Sequence, residues 1–163
     1  MGHDLVRMTS IDRLDADLIE LLTIHPRIGI VELARRLGVA RGTVQSRMAK
    51  LAERGAVTGF GPQVDPAGIG YPVLAFVFLE IAQGRLAEAV ETLGAIPEVL
   101  EAHGTTGARD LLCRVVARDN GHLQEIINAV LSSSAVRRST SYIAMSQQIA
   151  PRSLPLVRAA VQA

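Results

Sequence analysis

A cluster of positive charge is the first feature of this 163-residue chain that suggests chemistry. Between Ala34 and Arg54 there are six cationic side chains and one acid, Glu53, although the whole chain balances 17 Lys and Arg against 16 Asp and Glu. The six cations are Arg35, Arg36, Arg41, Arg47, Lys50 and Arg54. Positive charge on so short a segment favours a polyanionic partner, because each phosphate contact releases condensed counterions. A solvated helix face is the ordinary alternative, and the spacing of the residues has to decide between the two.

The spacing places this segment on a helix with an acid-free outer face. Val44, Met48 and Leu51 recur at helical intervals and predict the buried stripe. The opposite face and its flanks then carry small, hydrogen-bonding and cationic residues: Gly42, Thr43, Gln45, Ser46, Arg47, Ala49 and Lys50. Small residues let a helix enter a major groove closely, while Gln and Arg reach base edges and Lys meets phosphate. The pattern therefore favours DNA binding over a solvated face.

Two further helices precede this one and would position it. Asp12 is a candidate N-cap for the first helix, and Pro26 marks its end. The second helix is predicted between Gly29 and Gly38, and the third ends near Gly55. Their apolar stripes are Leu14, Leu18, Leu21 and Leu22 in the first helix, and Leu33, Ala34 and Leu37 in the second. The tight, glycine-bearing turn between the second and third helices indicates a helix-turn-helix.

The second half of the chain has a different pattern of elements. Residues 57–64 predict a strand or extended linker, because the glycines and prolines there break any helix. Beyond them, strands are predicted at 71–81, 99–103, 111–117 and 136–149, with helices at 85–93 and from Asp119 or Asn120 to 131. Strand, helix, strand, strand, helix, strand is the ferredoxin-like order. Both helices should cover one face of the sheet, and a second copy of the chain is the expected cover for the other.

The same pattern divides the chain into four parts. Residues 1–60 form the helix-turn-helix domain, 61–70 the linker and 71–150 the αβ domain. Residues 151–163 are a C-terminal tail, expected as a short, frayed helix with no assigned role.

Several functional classes lack support in the sequence. One Cys and four scattered His provide no disulfide framework, no metal-ligand spacing and no reason to expect a cofactor. The longest apolar run has seven residues, 73–79, whereas a membrane span needs about 20. The N-terminal residues 1–13 lack the apolar stretch of a secretory signal, so we expect a cytoplasmic protein. Paired carboxylates, a phosphate loop and a nucleophile elbow are not evident, so we expect no catalytic residues and no enzyme activity.

Four short segments carry a resemblance to a known family. They are Ile-Asp-Arg-Leu-Asp at 11–15, Glu-Leu-Ala-Arg at 32–35, Val-Gln-Ser-Arg-Met at 44–48 followed by Leu51, and Gly-Ala-Arg-Asp-Leu-Leu at 107–112. Together they resemble the Lrp/AsnC (leucine-responsive and asparagine-responsive, feast/famine) transcriptional regulators, over residues 11 to about 149. The resemblance implies an α+β chain, with an N-terminal three-helix, winged helix-turn-helix domain and a ferredoxin-like βαββαβ sandwich. It also implies a homodimer that assembles into a higher oligomer, often an octamer, and binds amino acids at the contacts between dimers.

The resemblance also implies two sets of site residues. The DNA-binding set is Arg41, Thr43, Gln45, Ser46, Arg47 and Lys50, with Arg35 and Arg36 as phosphate clamps. The effector set is the turn Gly104, Thr105, Thr106, Gly107, Ala108, Arg109 and Asp110, with Ser139 and Ser141 on the last strand. Turn N–H groups and hydroxyls suit the carboxylate of a free amino acid, and Asp110 suits its ammonium.

Two departures from the family pattern leave alternatives open. Ala40 stands where many members have a hydroxyl residue that caps the recognition helix. Arg109 in the turn could favour an acidic ligand or another effector class, or it could simply face water.

The alternative functions are an architectural DNA-binding protein without an effector, and a haem-pathway decarboxylase of the same architecture that would use His103, Arg109 and Arg114.

Overall fold

A computed structural model describes residues 11–162 of the chain. The expectations placed on residues 1–10, namely that they contain no secretory signal and that His3 ligates no metal, lie outside the described residues. The chain divides into two compact units. One contains the described residues up to Pro62 together with those from Ile149 onward, and the other spans Gln63–Gln148.

Three helices form the main part of the first unit, as the sequence predicts. They are α1 (Arg13–Ile24), α2 (Ile30–Leu37) and α3 (Arg41–Glu53). Asp12 caps α1 by accepting a hydrogen bond from the Asp15 N–H at 2.9 Å, and Asp15 accepts one from the Asp12 N–H at 3.5 Å. Gly38 ends α2 in the left-handed conformation, with φ of 67°, which glycine adopts without steric cost. Leu18, Leu33, Ala34, Val44 and Leu51 form the buried core of these helices.

The second unit has the predicted order of strands and helices. A short 3-10 helix (Ala67–Ile69) precedes β1 (Val73–Ile81), α4 (Leu86–Gly94), β2 (Val99–Gly104), β3 (Leu111–Ala117), α5 (Asn120–Ser132) and β4 (Val136–Ile143). The strands form an antiparallel sheet in the order β2-β3-β1-β4. This arrangement confirms the ferredoxin-like fold.

The two faces of this sheet differ in burial. Alternate residues of β1 and β3 pack with residues of α4 and α5 to form the core of the unit. The opposite face is open in the single chain and carries aromatic side chains. Phe76 is 38% exposed and Tyr142 is 60% exposed, and the Phe78 and Tyr142 rings meet edge to face at a centroid distance of 5.9 Å. This is the face for which the sequence predicts a second copy.

The last helix, α6 (Leu154–Gln162), belongs to the first unit although it comes last in the chain. It packs beside α1, and the Arg158 guanidinium forms an ion pair with Glu20. The Arg158 Nε lies 3.3 Å from the Glu20 Oε2. The segment expected as a tail without a role is therefore a helix packed within this unit.

One open prediction is decided by the structure and one predicted strand is shorter than expected. Residues 57–64 form no strand, so of the two predicted alternatives the extended linker is correct, and these residues do not form the wing that the resemblance implies. This segment is exposed apart from Val57 and contains Gly59, Gly61 and Pro62, and no described strand pairs with it. β4 ends at Ile143 and not at Ile149, because Ile143 is the last residue paired with β1, opposite Ala75.

The described residues form neither a membrane-spanning helix nor a cluster of metal-binding side chains. Between residues 11 and 162 no helix has the length and apolar character needed to cross a bilayer. The same part of the chain contains no group of three or more His, Cys, Asp or Glu side chains that could hold a metal ion.

Candidate DNA-binding helix and effector cleft

The outer face of α3 has the composition that the sequence predicts. Val44 and Leu51 anchor the helix in the core of the first unit. The exposed side chains before Leu51 are Arg41, Thr43, Gln45, Ser46, Ala49 and Lys50, and Gly42 is exposed beside them. Five of the residues in the predicted DNA-binding set, Arg41, Thr43, Gln45, Ser46 and Lys50, therefore point away from the core. The exposed part of this helix has no acid before Glu53.

Arg47, also in the predicted set, has a different environment. Its guanidinium forms ion pairs with Asp12 and Asp15 of the α1 N-terminus, and its Nη1 lies 3.1 Å from the Asp15 Oδ1. The Asp15 N–H and then Arg47 hold the pKa of Asp12 below its usual value, and both carboxylates raise the pKa of Arg47. The structure thus brings Arg47 to α1 and not among the outward side chains of α3. Its expected contact with bases stays a prediction.

Asp15 is the centre of a cluster that the sequence analysis did not identify. Its side chain is 6% exposed, and its second oxygen, Oδ2, lies 2.8 Å from the Arg54 Nη2. Asp15 and the two arginines are separated by more than 30 residues in the chain, so no local spacing rule predicts the contact. The only sequence signal was the capping position of Asp12 and Asp15, which places two carboxylates at the N-terminus of α1.

Arg35 and Arg36, the expected phosphate clamps, share one carboxylate. Each guanidinium lies 2.7 Å from the Glu32 Oε1, and these hydrogen bonds lower the pKa of Glu32 to about 2. Spacings of three and four residues on a helix predict such pairs. Exposed ion pairs contribute little stability, and the expected contact of Arg35 and Arg36 with phosphate stays a prediction.

The predicted effector turn is closed by its own hydrogen bonds. The Thr105 N–H donates to the Asp110 carbonyl at 3.0 Å, and the Thr105 hydroxyl donates to the Arg109 carbonyl at 2.6 Å. Gly107 has φ of 112°, a conformation that favours glycine. The Asp110 Oδ2 accepts the Ile81 N–H at 2.7 Å, which ties the turn to the end of β1.

A cleft of about 580 Å³ lies between this turn and the loop after β1. Four residues of the predicted effector set line it: Gly104, Thr105, Thr106 and Asp110. The rest of its lining was not predicted and comes from the loop and the start of α4: Ile81, Ala82, Gln83, Gly84 and Leu86. The end of the strand predicted at 71–81 was the available signal, because the pairing of β1 with β3 brings that end beside the turn.

The other predicted effector residues lie outside this cleft. Gly107, Ala108 and Arg109 do not line it, and the Arg109 Nη1 lies 3.4 Å from the Glu80 Oε2. Ser139 and Ser141 pair with Leu79 and Val77 on β1. Because β3 and β1 lie between β2 and β4, the two serines are not brought to the turn within one chain.

Comparisons with known proteins identify both units. Residues 11–52 match the family model of the AsnC-type helix-turn-helix domain, and residues 74–154 match that of the Lrp/AsnC ligand binding domain. The regulatory protein AsnC of Escherichia coli K12 is 30% identical over 141 residues, which cover 85% of this chain and 93% of AsnC. The chain belongs to the Lrp/AsnC family of transcriptional regulators.

Further matches agree with this Lrp/AsnC assignment. The HTH-type transcriptional regulator Ptr1 of Methanocaldococcus jannaschii is 32% identical over 109 residues, 67% of this chain and 74% of that protein. The structure of E. coli AsnC superposes with a TM-score of 0.82 at 28% identity, covering 89% of this chain and 99% of that one.

The family assignment fixes the general function. The Lrp/AsnC chain is a DNA-binding transcriptional regulator with a ligand-binding domain, and the predicted fold class is confirmed. It is not an enzyme, because both family models describe domains of regulators and because AsnC and Ptr1 are themselves regulators. These comparisons therefore support the regulator and give the decarboxylase alternative no support.

Proposed function

We propose that this Lrp/AsnC regulator reads double-stranded DNA with the outer face of α3 and responds to a small, neutral amino acid bound in the cleft beside Asp110. The observation that supports DNA reading most strongly is the exposed, acid-free face of α3, which Val44 and Leu51 anchor from behind. Such a face suits a major groove and a phosphate backbone, whereas a merely solvated face would commonly mix both charges.

The exposed residues of α3 divide into two roles. Gln45 is the candidate for base readout, since an amide can donate and accept on adenine at once, and Thr43 and Ser46 add hydroxyl contacts. Arg41 and Lys50 contact phosphates, and Arg35 and Arg36 join them by exchanging Glu32 for DNA.

The lining of the cleft supports an amino-acid effector. The Asp110 carboxylate suits an ammonium group, the Thr106 hydroxyl suits a carboxylate, and Ile81 and Leu86 provide an apolar surface for a side chain. Among residues 11–162 no cation lines this cleft, and the charge of Arg109 is balanced by Glu80. A neutral ligand therefore fits the cleft better than an acidic one. The ion pair between Arg109 and Glu80 supports neither the interpretation that Arg109 binds an acidic ligand nor the interpretation that it simply faces water.

The proposed regulator acts in the cytoplasm as a dimer that assembles further. The open face of the sheet pairs two chains, so that two α3 helices read a roughly palindromic site in the cytoplasm. Dimers then assemble further, an octamer being the form that the family resemblance suggests. An effector bound where dimers meet would change which α3 pairs can bind DNA at the same time.

The DNA-reading part is tested with a duplex selected from a random-sequence library by the wild-type protein and with a scrambled duplex of equal length. We expect Gln45→Ala to lower the ratio of the two affinities. Lys50→Ala should weaken both duplexes equally and reduce the slope of log affinity against log salt by about 1. Gln124→Ala, which removes an exposed amide from α5, is the matched control.

Two results would count against the proposal. Unchanged affinity and ratio for both Gln45→Ala and Lys50→Ala would exclude α3 as the DNA-reading helix. A selection that enriches no sequence would instead favour the architectural alternative, in which the protein binds DNA without preference.

A further inference from the structure

We propose that Arg47 is a positioning residue for DNA recognition: Asp15 holds it against α1, and this contact sets the orientation of α3. The inference rests on DNA reading through α3 and goes beyond it, because it assigns a part in specificity to a carboxylate that is buried in the first unit. It also gives Arg47 a role other than the base contact expected from the sequence.

The first step is that Asp15 is a buried carboxylate with a different arginine on each oxygen. Its Oδ1 lies 3.1 Å from the Arg47 Nη1 and its Oδ2 lies 2.8 Å from the Arg54 Nη2, while its side chain is 6% exposed. A buried charge is tolerated only when it is paired and hydrogen-bonded, and removal of a partner is strongly destabilising. Arg47 therefore cannot leave for DNA without leaving Asp15 with only one cation.

The second step is that the carboxylates are held rigidly on α1. The Asp12 Oδ1 accepts the Asp15 N–H at 2.9 Å, and its Oδ2 contacts Arg47. The capping box fixes both acids to the first turn of α1, so they are a defined anchor and not two mobile surface charges.

The third step is the spacing of the two arginines. Arg47 lies on α3 and Arg54 is its C-cap residue, seven residues or about two helical turns later, so both side chains reach Asp15 from the same side of the helix. Two contacts from one side to a single anchor restrict both the rotation of α3 about its axis and its sliding along α1. Gln45 projects from roughly the opposite side of the helix and Ser46 from the face between them, so the direction of both side chains depends on that rotation.

A double-mutant cycle distinguishes positioning from base contact. The four proteins are the wild type, Asp15→Asn, Arg47→Ala and the double variant, each measured on the selected and scrambled duplexes used above. We expect each single variant to lower the affinity ratio about tenfold, which is about 1.4 kcal/mol, and the double variant to lower it no further. If Arg47 instead touches bases independently, the two losses multiply, and that result would overturn the proposal.

A conservative variant gives a readout that a general loss of stability would not produce. Arg47→Lys keeps a charge that can pair with Asp15, so we expect it to recover most of the ratio when Asp15 is present and none in the Asp15→Asn protein. Recovery that is equal in both backgrounds would contradict the proposal. Asp17→Asn, which changes an exposed carboxylate of the same helix, is the matched control.

Folding and the parent hypothesis are checked separately. All measurements are made below the unfolding midpoint of each variant, and if Asp15→Asn does not fold, the exposed Asp12 is replaced by Asn in the same cycle. Unchanged affinity and ratio for both Gln45→Ala and Lys50→Ala would show that α3 does not read DNA, and this result would overturn both proposals. A lowered ratio for Gln45→Ala with multiplying losses in the cycle would overturn only the positioning role.

Discussion

At the scale of single residues, the cationic segment of the sequence is partly neutralised in the fold, because several of its side chains form ion pairs with acids. Six cations lie between Ala34 and Arg54, but Arg35 and Arg36 meet Glu32, and Arg47 and Arg54 meet Asp15. The Glu32 pairs follow from helical spacing and could be predicted. The Asp15 contacts could not, because they depend on how α1 and α3 pack. Similarly, the charge of Arg109 could be read from the sequence, but its partner Glu80 lies on another strand.

The Asp110 carboxylate in the cleft predicts the charge of the effector. We expect some neutral L-amino acids, and neither aspartate nor glutamate, to raise the thermal unfolding midpoint of the wild-type protein. A ligand at a hundred times its Kd should stabilise the protein by about 2.7 kcal/mol. Asp110→Asn should abolish the shift, because the amide oxygen can still accept the Ile81 N–H but the charge that pairs with an ammonium is lost.

The control for this measurement is Glu125→Gln, which removes an exposed carboxylate from α5. A shift that is largest for aspartate or glutamate, or that survives Asp110→Asn unchanged, would refute the neutral-ligand assignment. A flat response to every amino acid would favour a regulator without an amino-acid effector.

At the scale of elements, residues that end or begin a helix were the most reliable signals. Asp12, Gly29 and Gly38 lie at the predicted caps, and β3 has the predicted bounds. Strand ends were less predictable, because they depend on the length of the partner strand, as β4 shows beside β1. The position of α6 against α1 was also not predictable, since its apolar residues fit an isolated, frayed helix equally well.

The N-terminus of α3 has no side-chain cap, so a capping residue there should stabilise the helix. Ala40 is the N-cap residue, with extended backbone (φ of −67° and ψ of 149°) and no side-chain hydrogen bond. Ala40→Ser should raise the free energy of unfolding by about 1 kcal/mol, because the hydroxyl can accept an unpaired N–H of the first turn. Urea unfolding with an unchanged m-value measures this gain.

Ala49→Ser is the matched control for the cap, since it makes the same change on the exposed face of α3 but within the helix. It should lower the free energy of unfolding by a few tenths of a kcal/mol, as expected from helix propensity. Equal effects of the two substitutions would mean that the cap position has no special role.

At the scale of the whole molecule, the chain passes between its two units twice. It enters the second unit after Pro62 and leaves it before Ile149, so the ligand-binding unit is inserted between the helix-turn-helix and the α6 helix that packs beside α1. The βαββαβ order predicted the open face of the sheet, because two helices on one side leave the other side uncovered. What covers that face is not encoded in any local pattern, and it has to be tested in solution.

Phe76 offers that test, because it lies on the open face opposite Arg114 of β3 and Tyr142 of β4. Phe76→Lys places a charge beside Arg114 in the proposed dimer contact, and we expect it to convert dimers or larger assemblies to monomers in sedimentation at micromolar concentration. The matched control is Leu131→Lys on α5, which is 39% exposed compared with 38% for Phe76. Both variants should fold, since neither side chain is buried in the single chain.

Binding to a duplex with two half-sites should then fall more than tenfold for Phe76→Lys only, because two linked α3 helices bind together far more tightly than one. If Phe76→Lys keeps the wild-type mass, the chains pair through another surface, and the two α3 helices of a dimer would be spaced by a different contact.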